Sequence, residues 1–155
     1  MRRLIFALAL LAALPATAEM APRDGWAVLP TTQSYEALIG AVKTAAKANK
    51  LGVVTEAGPT GAAANRGVTI PGNRVIGLFN NVYAVRILNL STPAMIEAPI
   101  RMYVTENDDG TATLSYKLPS TAFAPYFADD IPDLQVAAEE LDAIFAAVAA
   151  QAAGQ

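Results

Sequence analysis

Polar and apolar residues alternate with period two through Arg101-Met102-Tyr103-Val104-Thr105-Glu106 and again through Thr111-Ala112-Thr113-Leu114-Ser115-Tyr116, the pattern of two half-buried strands. Asn107-Asp108-Asp109-Gly110 joins them. For Met102 and Val104 to share a face with Tyr116 and Leu114, residue 102 must pair with 116 and 104 with 114. A slip of one residue would send every side chain to the other face. This register leaves a three-residue loop, Asp108 to Gly110, with Gly110 at the left-handed position and Asn107 at the favoured first turn position.

Helical periodicity governs two longer stretches. Over about Tyr35 to Asn49, with Ser34 as N-cap and Glu36 in the first turn, Tyr35, Leu38, Ile39, Val42, Ala45 and Ala46 fall on one face and Lys43 and Lys47 on the other, solvated one. Gly52 is the expected stop. Over about Asp133 to Gln151, Leu134, Ala137, Leu141, Ile144, Phe145 and Val148 form a stripe, with Pro132 suited to the first turn and Asp129, Asp130 and Asp133 loading the positive end. Shorter signals fill the gaps. Trp26 to Leu29, ended by Pro30, Gly52 to Ala57, and Arg74 to Phe79 read as strands, the last apolar enough for a sheet interior. Asn80-Asn81 suits the cap of a short helix over Val82 to Leu90. One helical turn is expected at Ala62 to Arg66 and another at Ala94 to Glu97, and Ser120 to Phe127 reads as an aromatic loop or distorted helix. Strands separated by helices, with one true hairpin at about 100–116, predict an α+β two-layer domain: a mostly antiparallel sheet packed against helices.

The first residues stand outside this pattern. Arg2 and Arg3 precede an unbroken apolar run from Leu4 to Leu14, and Ala16-Thr17-Ala18 has the form of a cleavage site, which together predict a signal peptide over 1–18 and a single domain over 19–155. The run is too short for a membrane anchor, which needs about 20 residues. The paired arginines lack the flanks of twin-arginine export, so the general secretory route is expected. No cysteine follows for lipid attachment. Cleavage moves the formal charge from −3 to −5, and an acidic chain without a basic run is a poor partner for nucleic acid or an anionic membrane surface. A periplasmic or secreted location follows.

Two absences narrow the chemistry. The chain has no cysteine and no histidine, which excludes thiolate and imidazole metal sites, axial haem histidine, Ser-His triads and cysteine nucleophiles. No disulfide supports the fold either. The acidic loop fails as a calcium site: with Gly110 at the glycine position, Thr105 and Tyr116 occupy the ends where acids belong. Neither a metal nor a cofactor is expected. Glu56, Glu97 and Glu106 are available as paired carboxylates, but nothing in their spacing pairs them. A sharper constellation is Asn80, Asn81, Arg86, Arg101, Tyr103 and Tyr116, gathered by sequence around the third strand, the helix after it and the hairpin. Arginine offers a planar fork for an anion, and asparagine and tyrosine supply orienting hydrogen bonds, so these six residues are the expected binding set for a small anionic ligand. The bland alternative is that the asparagines are caps, Tyr116 is core and the arginines pair with Glu97 or Glu106.

Leu78-Phe79-Asn80-Asn81-Val82-Tyr83-Ala84-Val85-Arg86-Ile87-Leu88, Ala98-Pro99-Ile100-Arg101, Tyr103-Val104 with Asp109-Gly110, and Leu114-Ser115-Tyr116-Lys117-Leu118-Pro119 resemble the family called domain of unknown function 302. Many members carry Gly-Asn-Pro after the central strand, where this chain has Asn80-Asn81-Val82. The resemblance implies a small α+β domain, often exported in bacteria, associated with a homodimer and without an established activity. The resulting expectation is an uncharacterised exported bacterial protein that is not an enzyme and binds a small molecule or partner. Two alternatives stay open: a hydrolase using carboxylates and tyrosine, and a structural dimer formed through Met95, Ile96 and the apolar hairpin face.

Overall fold

The computed structural model describes residues 20–128 and 130–155; the expected signal segment, residues 1–18, and Asp129 lie outside the described residues. Five strands form one antiparallel sheet: β1 (Trp26–Ser34), β2 (Gly52–Ala57), β3 (Asn73–Phe79), β4 (Ile100–Glu106) and β5 (Thr111–Lys117). Their spatial order is β1-β5-β4-β3-β2. The helices are α1 (Tyr35–Ala48), α2 (Thr60–Ala64), α3 (Asn81–Leu90), α4 (Pro119–Phe123) and α5 (Pro132–Ala153), with 3-10 turns at Pro93–Glu97 and Ala124–Tyr126. This is the two-layer α+β arrangement that the periodicities predict.

The hairpin has the predicted register. Met102 pairs with Tyr116 and Val104 with Leu114, and the turn closes on Gly110 at φ 81°, a left-handed conformation that costs a residue with a Cβ. Asn107 holds the turn from both ends: its amide Nδ2 donates to Thr111 Oγ1 and its Oδ1 accepts from Thr113 Oγ1.

Parity then sorts the whole sheet. Ile76, Leu78, Met102, Val104, Ala112, Leu114 and Tyr116 are all buried, in one cluster with the α1 residues Leu38, Ile39 and Val42 and the α5 residues Leu134, Leu141, Phe145 and Val148. Tyr116 sits against Phe145 with ring centroids 5.8 Å apart. The apolar hairpin face is therefore interior and is not a surface for a second copy, as one sequence-based reading requires. The opposite face carries Ser115, Lys117, Arg101, Tyr103, Val75 and Asn73, together with Trp26 and Val28 of β1, whose pairing with β5 reverses the parity.

Two local expectations are corrected. β1 does not end at Pro30 but runs to Ser34, with a register irregularity between the two. Pro30 is tolerated because β1 is an edge strand, where a missing N–H costs no second ladder, and Thr31 Oγ1 stitches the irregular step by donating to the Ala112 carbonyl at 2.7 Å. Gly52 does not stop α1: the chain turns at Lys50, φ 60°, and Gly52 begins β2. Lys43 keeps 40 % of its side chain exposed, in keeping with the solvated face expected of it, and pairs there with Glu56 at 2.6 Å. Ser34 occupies the N-cap position of α1 with extended backbone but makes no side-chain cap bond.

Candidate functional site

The six residues that sequence brings together lie in three separate places. Asn80 caps α3: its Oδ1 accepts from the backbone N–H of Val82 at 2.9 Å and of Tyr83 at 3.2 Å, while its Nδ2 donates to the Lys50 carbonyl at 3.1 Å. One side chain thus ties the α1–β2 turn to the start of α3. Asn81 is the exposed first residue of that helix. Arg86, one and a half turns on, pairs with Glu140 of α5 at 2.6 Å, and Tyr83 donates its hydroxyl proton to the same carboxylate at 2.9 Å. The Arg86 guanidinium holds Glu140 below the ordinary carboxylate range. Burial, then the Glu140 contact, raises the Tyr83 phenol. This trio clamps α3 to α5. Tyr116 is core, 2 % exposed.

Only Arg101 and Tyr103 reach the opposite side of the sheet. There, the pairings Trp26–Lys117 and Gly77–Arg101, with Arg101 one step along the ladder from the Met102–Tyr116 pair, form a cross-strand row: Trp26, Lys117, Arg101, Gly77. The next row is Val28, Ser115, Tyr103, Val75. Gly77 keeps the row short at one end, because a Cβ there would lie 2.1 Å from Thr55 Oγ1 and 2.9 Å from Pro99 Cγ.

A cavity of about 420 Å³ opens on this face, lined by Trp26, Asn73, Val75, Glu97, Ile100, Arg101, Tyr103, Lys117 and Ala122. That volume lies within the range of small-molecule sites, about 300–1,000 Å³. The Tyr103 hydroxyl accepts a hydrogen bond from Asn73 Nδ2, which leaves its own proton available to the cavity. Glu97 Oε1 accepts from the Tyr126 hydroxyl at 3.0 Å. Arg23 stacks over the Trp26 ring at 5.3 Å, a cation–π contact. Low on the same face, the hydroxyls of Thr105 and Ser115 are buried without a hydrogen-bond partner among the described residues. Sequence reasoning missed Trp26, Asn73 and Lys117. Lys117 was within reach, since it continues the parity of Tyr103 and Ser115; Trp26 required the long-range pairing of β1 with β5.

The three glutamates considered for hydrolysis do not share a cleft. Glu56 pairs with Lys43 and Arg74, chiefly the Lys43 contact holding its carboxyl below the ordinary range. Glu106 accepts the Gly72 backbone N–H at 2.7 Å, and Glu97 alone borders the cavity. Among the described residues, no three His, Cys, Asp or Glu side chains gather as metal ligands, and no helix is long and apolar enough to cross a membrane.

No curated protein matches the chain. Its fold is similar to that in the crystal structure of the uncharacterized conserved protein DUF302 from Bacillus stearothermophilus, with a TM-score of 0.74 and 16% identity, covering 84% of this chain and 99% of that one. The family model described as domain of unknown function DUF302 matches residues 28–151, in agreement with the resemblance carried by the Phe79-Asn80-Asn81 and Pro99-Ile100-Arg101 runs. On the extent of that match, the chain is a member of the DUF302 family.

Proposed function

We propose that this protein is an exported bacterial, non-catalytic binding domain that takes a small organic molecule into the cavity on the face of the sheet turned away from α1 and α5. The observation that carries this reading is the lining itself: an apolar floor and wall from Val75, Trp26, Ile100 and Ala122, with Arg101, Lys117, Tyr103 and Asn73 placed at one site. Few polar groups converging on an apolar cavity is the common form of a ligand site. A non-catalytic role is supported by the missing cysteine and histidine and by carboxylates that are already bonded elsewhere. A general acid needs a raised pKa in a cleft, and Glu56 and Glu140 are both shifted the opposite way. Export to the periplasm is supported by the n-region, apolar run and small-residue site of residues 1–18.

Thermal-shift screening of small organic molecules tests the reading. A ligand that raises the melting temperature of the wild type and of Arg86→Ala, but not of Arg101→Ala or the cavity-filling Val75→Trp, is the expected result. A ligand that stabilises all four equally binds elsewhere and removes the cavity from the account. A second reading, a homodimer, is favoured by the exposed apolar side chains Val82, Val85 and Leu88 on α3, since unpaired apolar surface marks interfaces. Sedimentation as a monomer at micromolar concentration contradicts it.

A further inference from the structure

From the charges and shape of the cavity just proposed as the binding site, and resting on that proposal, we infer its ligand class: an organic monocarboxylate with a flat apolar body. Arg101 and Lys117 stand side by side across β4 and β5, and like charges directly opposite on a sheet repel. Among the described residues, neither has an acid within 4.0 Å. Glu97, the acid among the lining residues, lies beyond 4.0 Å from both cations and accepts from the Tyr126 hydroxyl. An anion between the two cations relieves their repulsion. The planar guanidinium fork of Arg101 matches a carboxylate with two parallel N–H bonds, and Lys117 adds a point charge. Tyr103 supplies a third donor, because its oxygen already accepts from Asn73.

The rest of the cavity sets the remainder of the ligand. Trp26, Val75, Ile100 and Ala122 carry no charge, and Tyr103 and Trp26, which also holds Arg23 over its ring, bring two aromatic side chains to the lining, suited to a flat body. A phosphate dianion fits poorly: it demands donors around all its oxygens, while Val75, Ile100 and Ala122 bring none to the lining. An amine fits worse, with two cations at the polar end.

Isothermal titration calorimetry with 2-naphthoate, 2-naphthamide, 2-naphthylmethylamine and inorganic phosphate tests the class. The expected result is that 2-naphthoate binds at least about ten times more tightly than its amide, that the amine and phosphate do not bind, and that Arg101→Met and Lys117→Met each weaken 2-naphthoate about tenfold. Both side chains are exposed, so these variants fold. Val75→Trp separates the two proposals. If naphthoate and naphthamide bind equally and both are lost in Val75→Trp, the cavity reading survives and the carboxylate class is wrong. If naphthoate binds and Val75→Trp leaves it unchanged, the cavity reading falls and takes the class with it. Binding of phosphate or the amine, or no binding of naphthoate, overturns the class outright.

Discussion

Replacing Phe145 by alanine probes the contact on which the two layers depend. The side chain is 1 % exposed and lies against the Tyr116 ring, itself on the central hairpin. Removing a buried phenylalanine costs about 3–5 kcal/mol, the spread reflecting how far neighbours collapse into the gap. Here collapse is restricted. Phe145 already borders a half-open pocket of about 30 Å³, shared with Ile87, Phe123 and Leu141, so the packing around the ring leaves space even with the ring in place. The upper part of the range is expected, and the lost ring pair with Tyr116 accounts for about 0.5–1.5 kcal/mol of it. Against a total stability of about 5–15 kcal/mol, the variant remains folded but marginal. Its melting temperature falls by about 10–20 °C for a domain of this size. Urea unfolding followed by far-UV circular dichroism reads the change as a lower midpoint at constant slope. A loss below about 1 kcal/mol would refute the seating of α5 on Tyr116 described above.

Other consequences follow from single contacts. Gly77→Ala places a methyl against Thr55 Oγ1 and Pro99; overpacking of this kind destabilises by about 1–3 kcal/mol, and chemical denaturation reads it, with no loss refuting the close approach. Asn80→Ala removes two cap bonds and the link to the Lys50 carbonyl and costs about 1–2 kcal/mol. Amide hydrogen exchange then rises first in α3, and uniform exchange across the chain contradicts that placement. Glu56 and Glu140 have folded pKa values below the ordinary glutamate value, so the stability they add is present above that value and lost as pH falls through the lowered one. Both pairs are exposed and their contribution is small. The urea midpoint therefore drops on acidification from about pH 6 to about pH 3, and more gently in the Glu56→Gln/Glu140→Gln variant. An equal drop assigns the acid loss to other groups.

The hairpin, α1 and α5 were legible in the sequence because each carries its own period and each buries the face that the period marks. β1 was legible only as far as Pro30. A proline reads as a terminator, and whether it is one depends on which strands flank it, a fact set by the distant pairing of β1 with β5. Lys50 in the left-handed region had no local signal at all, since lysine rarely adopts it. The candidate site was legible in part. Arg101 and Tyr103 do share a face, but neighbours in sequence are not neighbours across a sheet: Arg86 rides a helix and finds Glu140, 54 residues on. Parity alone already separated Tyr116 from Tyr103, because the register that sets Met102 opposite Tyr116 turns Tyr103 away from both. Trp26 and Lys117 emerge only when the strand order is known, so the cavity they line has no signature along the chain.

The ligand site itself is tested most directly by a ¹⁵N–¹H correlation spectrum recorded during titration with 2-naphthoate. Trp26 is the sole tryptophan, so its indole N–H gives one unambiguous signal on the cavity wall. Saturable shifts of that signal are expected together with the backbone amides of Asn73, Arg101, Tyr103 and Lys117, while α3 around Arg86 stays still. Shifts that gather on α3, or a Trp26 indole that does not move while naphthoate binds, would contradict binding in the cavity.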